Sequence, residues 1–313
     1  MFDKDTKIKS LFDLFEMFPD ENSAIKYFEG RRWKNGITCP LCGCKKIYSF
    51  SKPGQYKCSE CRKRFSIRKG SIFESSKISM RKWLAAVYLY TVHKKGLSGC
   101  QMAVDIGVTQ KTAWFIIHRL NYVFEKRQNQ ELPLEGEIEI DETYVGGLEK
   151  NKHFDKKAKT LGLDTRGRSL TVKSGLVALV QRGGSVRIFK VNGVSEDEIH
   201  PLILDNVVPG SVIHTDEWKA YNNLHYLYDH RIVNHGNKEY VSGSNYTNTV
   251  ECVFSRLKNT LKGTHHHCSP KHLHRYSAAI AVRFSFRNFT EQRLFDLVFE
   301  HCECRLTYQK LVA

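Results

Sequence analysis

Two sets of residues in this chain have the types and spacing to hold metal ions. The first is a pair of thiol knuckles: "CPLC" (Cys39, Cys42) and, after fifteen intervening residues, "CSEC" (Cys58, Cys61). Two C-x2-C knuckles at that separation suit tetrahedral Zn²⁺ in a closed structural site, which leaves no open position for catalysis. Disulfide pairing or redox chemistry is the competing use. Gly43 after the first knuckle, and the strand-like "KKIYSF" and "GQYKC" between the pairs, favour zinc. Cys44 is expected to stay outside the ligand set. Cys100, Cys252, Cys268, Cys302 and Cys304 show no paired spacing and read as buried or free thiols in a reducing compartment.

The second set is made of carboxylates. In "EIEIDETYVGG" the isoleucines alternate with Glu137, Glu139 and Asp141, the period-two pattern of a strand with acids on one face. "SVIHTDEW" is a second strand, with Asp216 at its end. "TNTVECVFSRLKNTLKG" is a helix with an apolar stripe of Val250, Val253, Phe254, Leu257 and Leu261. Glu251 borders that stripe, and Lys258 lies two turns further along the same side. Asp141, Asp216 and Glu251 together suit two Mg²⁺ (or Mn²⁺) ions, because hard cations take oxygen ligands. A pair of such ions roughly 4 Å apart drives in-line phosphodiester cleavage and strand transfer. Asn248, one turn before Glu251, competes with it for the third place, and Lys258 is placed for phosphate. Taken singly, Asp141 reads as a solvated strand acid and Glu251 as an ordinary helix-flank charge. Glu137, Glu139, Glu142 and Glu217 are expected to be surface charges.

The elements that must position these groups follow from patterning. Residues 1–30 form one or two short helices broken at Pro19, and the ribbon occupies 31–70. "SKISMRKWLAAVYLYTVHKKG" is a helix closed by Gly96. "LSGCQMAVDIGVTQKTAWFIIHRL" reads as helix, Gly-containing turn, helix, with Thr109 as N-cap and Gln110 to Leu120 as the second helix. Gln110, Lys111 and Thr112 stand at its start, where a major groove would be read. An ordinary helical hairpin has the same pattern. From about 134 the order is three antiparallel strands, with Gly183-Gly184 as a hairpin turn, then a helix capped by Ser195, then the Asp216 strand. That is the order of an RNase H-like fold. The fold class is therefore α+β and multidomain: zinc ribbon and helix-turn-helix, then an RNase H-like mixed-sheet α/β domain. The expected limits are 1–30 helical, 31–70 ribbon, 71–128 DNA-binding helices with the helix-turn-helix at about 98–120, 134–295 catalytic, and 296–313 a C-terminal tail.

Charge points to the partner. The chain carries +16, and Arg31 to Lys82 alone hold 15 Lys and Arg against Glu60 and Glu74. So dense a block is the footprint of a phosphate-backbone binder, with Arg62, Lys63, Arg64, Arg68 and Lys69 as its contacts. Membrane binding is disfavoured, since no basic amphipathic helix lies in the block and no apolar run is long enough to span. The start, "MFDKDTKIKSLFDLFEMF", reads as too charged for a signal peptide. A soluble protein of the cytoplasm and nucleoid is expected.

The chain closely resembles the ISXO-type insertion-sequence transposases of bacteria. The resemblance covers about residues 25–290 and rests on "CPLCG…YKCSECRKRFSIRKGSIFESSKISMRKW", "GVTQKTAWFIIHRL", "GEIEIDETYVGG", "HTDEWKAY", "TNTVECVFSRLK" and "GTHHHCSPKHLHRYSAAIAVRFSFRN". It implies a DDE-type catalytic domain that cleaves and joins double-stranded DNA at terminal inverted repeats. Asp141 and Asp216 match the family's fixed pair. Its third position varies among Asn, His and Glu and is followed by Lys, so it does not decide between Asn248 and Glu251; charge favours Glu251. "AAIAVRFSFRN" departs from the family's acid-containing helix at Ala278, Ala279 and Ala281. "HHHC" (His265 to Cys268) is read as DNA-facing rather than as a metal site. Cutting two element ends requires at least a dimer on DNA. A catalytically silent DNA-binding relative and a nuclease of the same fold are the alternatives.

Overall fold

The computed structural model describes residues 8–147, 169–170, 173–233 and 246–312. They fall into two compact units, one drawn from Met1–Arg127 and Asn288–Ala313, the other from Gln128–Arg287.

In the first unit α1 (Leu11–Met17) and α2 (Glu21–Arg32) flank Pro19, each opened by a capping box, at Ser10 and Asp20. The ribbon follows as an antiparallel meander of β1 (Ile47–Ser49), β2 (Gln55–Cys58) and β3 (Arg64–Ser66). Next come α3 (Met80–Val92), α4 (Gly99–Ile106) and α5 (Gln110–Gln128). Gly107, at φ 60°, takes the left-handed turn between α4 and α5 that a side-chain-bearing residue adopts only with strain. Two expectations differ in detail. α3 stops at His93, with Gly96 closing the turn beyond, and α5 runs to Gln128 rather than Leu120.

The second unit opens with β4 (Glu137–Val145), β5 (Ser174–Gln181) and β6 (Val186–Val191), paired antiparallel. α6 (Glu196–Asn206) leads to β7 (Val212–Thr215), which returns parallel to β4, and β8 (Asp229–Ile232) pairs parallel to β7. The sheet order is β6-β5-β4-β7-β8, with β4 at its centre. α7 (Asn248–Thr260), a π turn and α8 (Leu273–Ser285) complete the unit. The charged loop expected before Leu170 lies, up to residue 168, outside the described residues.

Strand alternation divides the core. Leu176, Ala178 and Val180 of β5 pack with Val253, Leu257 and Ile280 of α7 and α8 on one face. Val177 and Leu179 pack with Ile138, Ile140, Ile199 and Ile203 on the other. β5 is therefore a continuous apolar run covered on both sides.

The C-terminal residues return to the first unit as α9 (Glu291–Glu300) and α10 (Tyr308–Val312). The tail expected from 296 is thus replaced by packed helix. Phe295, Leu297, Val298 and Phe299 are buried. Phe73 stacks on Phe299 at 6.1 Å and meets Phe28 at 4.8 Å and Trp83 at 4.9 Å. The Ile72 N–H donates to the Cys302 carbonyl at 2.9 Å. Among the described residues no helix is long and apolar enough to cross a membrane.

Candidate functional site

The ribbon brings its four thiols together. Cys39 Sγ lies 3.8 Å from Cys61 Sγ, and Cys42 Sγ 3.5 Å from Cys58 Sγ. All four sulfurs fall within 4.8 Å of one another. Disulfide sulfurs would be about 2 Å apart. Four ligands at the usual Zn–S length around a tetrahedron are about 3.8 Å apart, so the set fits zinc. Cys44 stays outside it, bonded to Lys46 and Ser59.

In the second unit Asp141 and Glu142, in the middle of β4, meet Asp216, the residue just past the end of β7. The parallel register pairs Glu139 with His214, and Asp141 and Asp216 each lie two residues further along their chains. Carboxylate oxygens of Asp141, Glu142 and Asp216 lie within 4.8 Å of one another. Asp216 Oδ1 accepts the Trp218 N–H at 3.0 Å, and Asp141 Oδ1 the Glu142 N–H at 2.7 Å. Burial, with the negative charges of Glu142, Asp216 and Glu251, pushes Asp141 up to about 7. Mutual repulsion at this strength is what a bound cation would relieve. Hard oxygen donors of this kind fit Mg²⁺ or Mn²⁺ better than a softer metal.

Glu251 sits in the first turn of α7, exposed and outside the 4.8 Å cluster, yet close enough for its charge to act on Asp141. Asn248 opens the same helix, and Lys258 lies exposed in its last turn.

Two acids expected at the surface are buried. Glu142 faces the core beside Ile138 and Ile140, where the Tyr221 hydroxyl donates to it at 2.9 Å. The adjacency of Glu142 to Asp141 was visible in the sequence, but nothing there said that a tyrosine would hold it at the cluster. Glu139 is wholly buried. Its carboxylate accepts the backbone N–H groups of Thr249 at 2.8 Å and Val250 at 3.0 Å, and the Thr249 hydroxyl at 2.9 Å. Arg182 pairs with it at 3.0 Å and also with Glu137. The acidic face of β4 is covered because the start of α7 lies on it, and a helix start needs acceptors. Glu137 and Glu217 remain exposed, as expected.

The basic residues divide in the same way. Arg62, Lys63 and Arg64 are exposed, and so are Gln110 and Lys111; Thr112 shares a hydroxyl contact with Thr109 at 2.8 Å. Arg68 instead donates to the carbonyls of Ser76 and Ile78, and Lys69 pairs with Glu74 at 2.9 Å. His265 packs on Tyr276, and the "HHHC" residues join no metal-binding group among the described residues.

Residues 133–285 match the model of the ISXO2-like transposase domain, and residues 19–64 that of the transposase zinc-ribbon domain. An uncharacterized protein in transposable element ISH50 of Halobacterium salinarum (strain ATCC 700922 / JCM 11081 / NRC-1) is 30% identical over 274 residues, covering 85% of this chain and 91% of the relative. The chain belongs to the ISXO2-like transposase family, and it pairs a zinc ribbon with a mixed α/β transposase domain.

Proposed function

We propose that the protein binds the terminal inverted repeats of an insertion sequence and catalyses metal-dependent DNA cleavage and strand transfer. The observation that carries this reading is the gathering of Asp141, Glu142 and Asp216 within 4.8 Å, with the charge of Glu251 acting on the same point. Three antiparallel strands followed by two parallel ones, with Asp141 on the central strand and Asp216 just past its parallel neighbour, support an RNase H-like assignment for the part of 134–295 that lies in the second unit, up to Arg287.

Asp141 and Asp216 would hold the divalent ions, with Glu251 as third ligand and Asn248 its competitor. When bound, a pair of such ions activates the attacking hydroxyl and stabilises the leaving oxygen. Lys258 directs its ammonium to the DNA phosphates. Glu139 and Arg182 hold the start of α7, and with it the third ligand, against the sheet. In the first unit, Arg62, Lys63 and Arg64 track the backbone, while Gln110 and Lys111 of the helix-turn-helix approach base edges. Arg68 and Lys69 support that surface from beneath. Two ends cut in concert call for a homodimer or larger assembly on DNA, in the cytoplasm at the nucleoid.

The test is cleavage and joining of labelled DNA ends from the flanks of the gene in Mg²⁺. Wild type is compared with Asp216→Asn, Glu251→Gln, Asn248→Ala and Glu142→Gln. Joining by wild type, lost in Asp216→Asn and Glu251→Gln, is expected. Loss in Asn248→Ala or Glu142→Gln with Glu251→Gln active would move the third ligand. Binding without cutting by wild type would make the protein a silent DNA-binding relative, and cutting without joining a nuclease.

A further inference from the structure

A cleft of about 1030 Å³ opens in the first unit between the starts of α3 and α5 and Tyr308 of α10. It shares no residue with the carboxylate cluster. Four cations line it, Lys77, Lys82, Lys111 and Arg119, and none of the described lining residues is acidic. Lys77, Lys82 and Lys111 are exposed at its rim. Arg119 is only 6% exposed.

Arg119 is the unusual member. A buried guanidinium is normally matched by a carboxylate, because leaving a charge unpaired in a poorly solvated place is costly. The carboxylate whose charge reaches it, Glu74, is already taken. Glu74 accepts Lys69 at 2.9 Å, Arg305 at 3.3 Å and the Gly70 N–H at 2.8 Å. Arg119 donates to the Ile72 carbonyl at 2.7 Å and lies over the Phe115 ring at 4.3 Å. Its Nε is buried without a hydrogen-bond partner, and among the described residues no carboxylate pairs with it. Burial and the neighbouring Arg305 charge push it down to about 10, still fully charged at neutral pH.

We infer that this cleft is a phosphate-binding site, with Arg119 as its buried anchor and Lys77 and Lys82 as its rim. A planar guanidinium with an unmet Nε–H suits a phosphate oxygen, and the ammonium groups of Lys77 and of Lys82, the latter donating to the Gly107 carbonyl at 2.8 Å, complete the charge. The aromatic wall of Phe115 and Tyr308, which stand edge to face at 5.7 Å, leaves room for a base or sugar beside the phosphate. The phosphate belongs either to a DNA backbone or to a free nucleotide. Only the first source rests on the DNA-binding reading above.

The zinc-loaded full-length protein is titrated calorimetrically at matched ionic strength with inorganic phosphate, with 5′-dAMP, and with a short duplex of arbitrary sequence. Saturable binding of at least one probe is expected, weakened about tenfold by Arg119→Met, a few-fold by the surface change Lys77→Ala/Lys82→Ala. Affinity for phosphate or dAMP assigns a free nucleotide; affinity for duplex alone assigns backbone phosphate. Asp216→Asn, which removes cutting, leaves these titrations unchanged, so a failed transposase reading is distinguishable. If Arg119→Met does not fold, the rim variant decides. Affinities for all three probes untouched by the substitutions would overturn the site.

Discussion

Asp141 illustrates how one residue in a carboxylate cluster carries a cost in stability. Its ordinary carboxyl range lies near 4. In the fold it is held near 7 by burial and by Glu142, Asp216 and Glu251. The raised value means that the folded chain binds more protons than the unfolded chain between about pH 4 and 7, so Asp141 lowers stability progressively as pH rises through that window. Asp141→Asn removes the cost. In zinc-loaded protein dialysed free of Mg²⁺ and Mn²⁺, the variant should melt close to wild type near pH 4, with a gap that widens through the window to roughly 4 °C or more at pH 8. The same variant should cut no DNA. Equal melting at both pH values would mean that the cluster is not under electrostatic strain.

At the scale of elements, α7 depends on a carboxylate from another part of the chain. Its N-cap residue, Thr247, makes no side-chain cap, and the free N–H groups of Thr249 and Val250 turn to Glu139 instead. Glu139 also compensates Arg182, whose guanidinium lies 3.7 Å from the Tyr246 ring centroid. Glu139→Ala strands two helix donors and part of a buried ion pair, at a cost of about 3 kcal/mol. Hydrogen exchange should speed in α7 while β5 and β6 keep their protection. Because α7 carries Asn248, Glu251 and Lys258, cleavage should fall as well. Unchanged exchange in α7 would refute the cap.

At the scale of the molecule, the chain leaves the first unit after α5 and comes back to it after α8. Phe299 then closes an aromatic cluster with Phe28 and Phe73 whose other members lie more than two hundred residues earlier. Phe299→Ala should therefore cost about 3–5 kcal/mol in the stability of the first unit. Exchange protection should drop in α2 and α3 and hold in β4 and β5. A truly dispensable tail would leave α2 and α3 as protected as in wild type.

Local patterning decided a good deal. The thiol knuckles, the strand alternation at Ile138 to Asp141, the apolar stripe of Val250 to Leu261 and the Gly107 turn all depend on neighbours within a few residues, and so are written in the sequence. The fate of an acid on a strand is not local. Glu137, Glu139 and Glu142 read alike, yet one is exposed, one caps a helix 110 residues away and one joins a carboxylate cluster. Each outcome is set by what packs on its face of β4, and only the tertiary structure brings α7 and Tyr221 there. The terminal helix is likewise no tail: Leu294, Phe295, Val298 and Phe299 form an apolar stripe that the sequence displays, but its partner, the Phe28 and Phe73 cluster, comes from the opposite end of the chain. Burial is decided by contacts between distant segments, and that is why the third dimension, not the pattern, assigned these residues their roles.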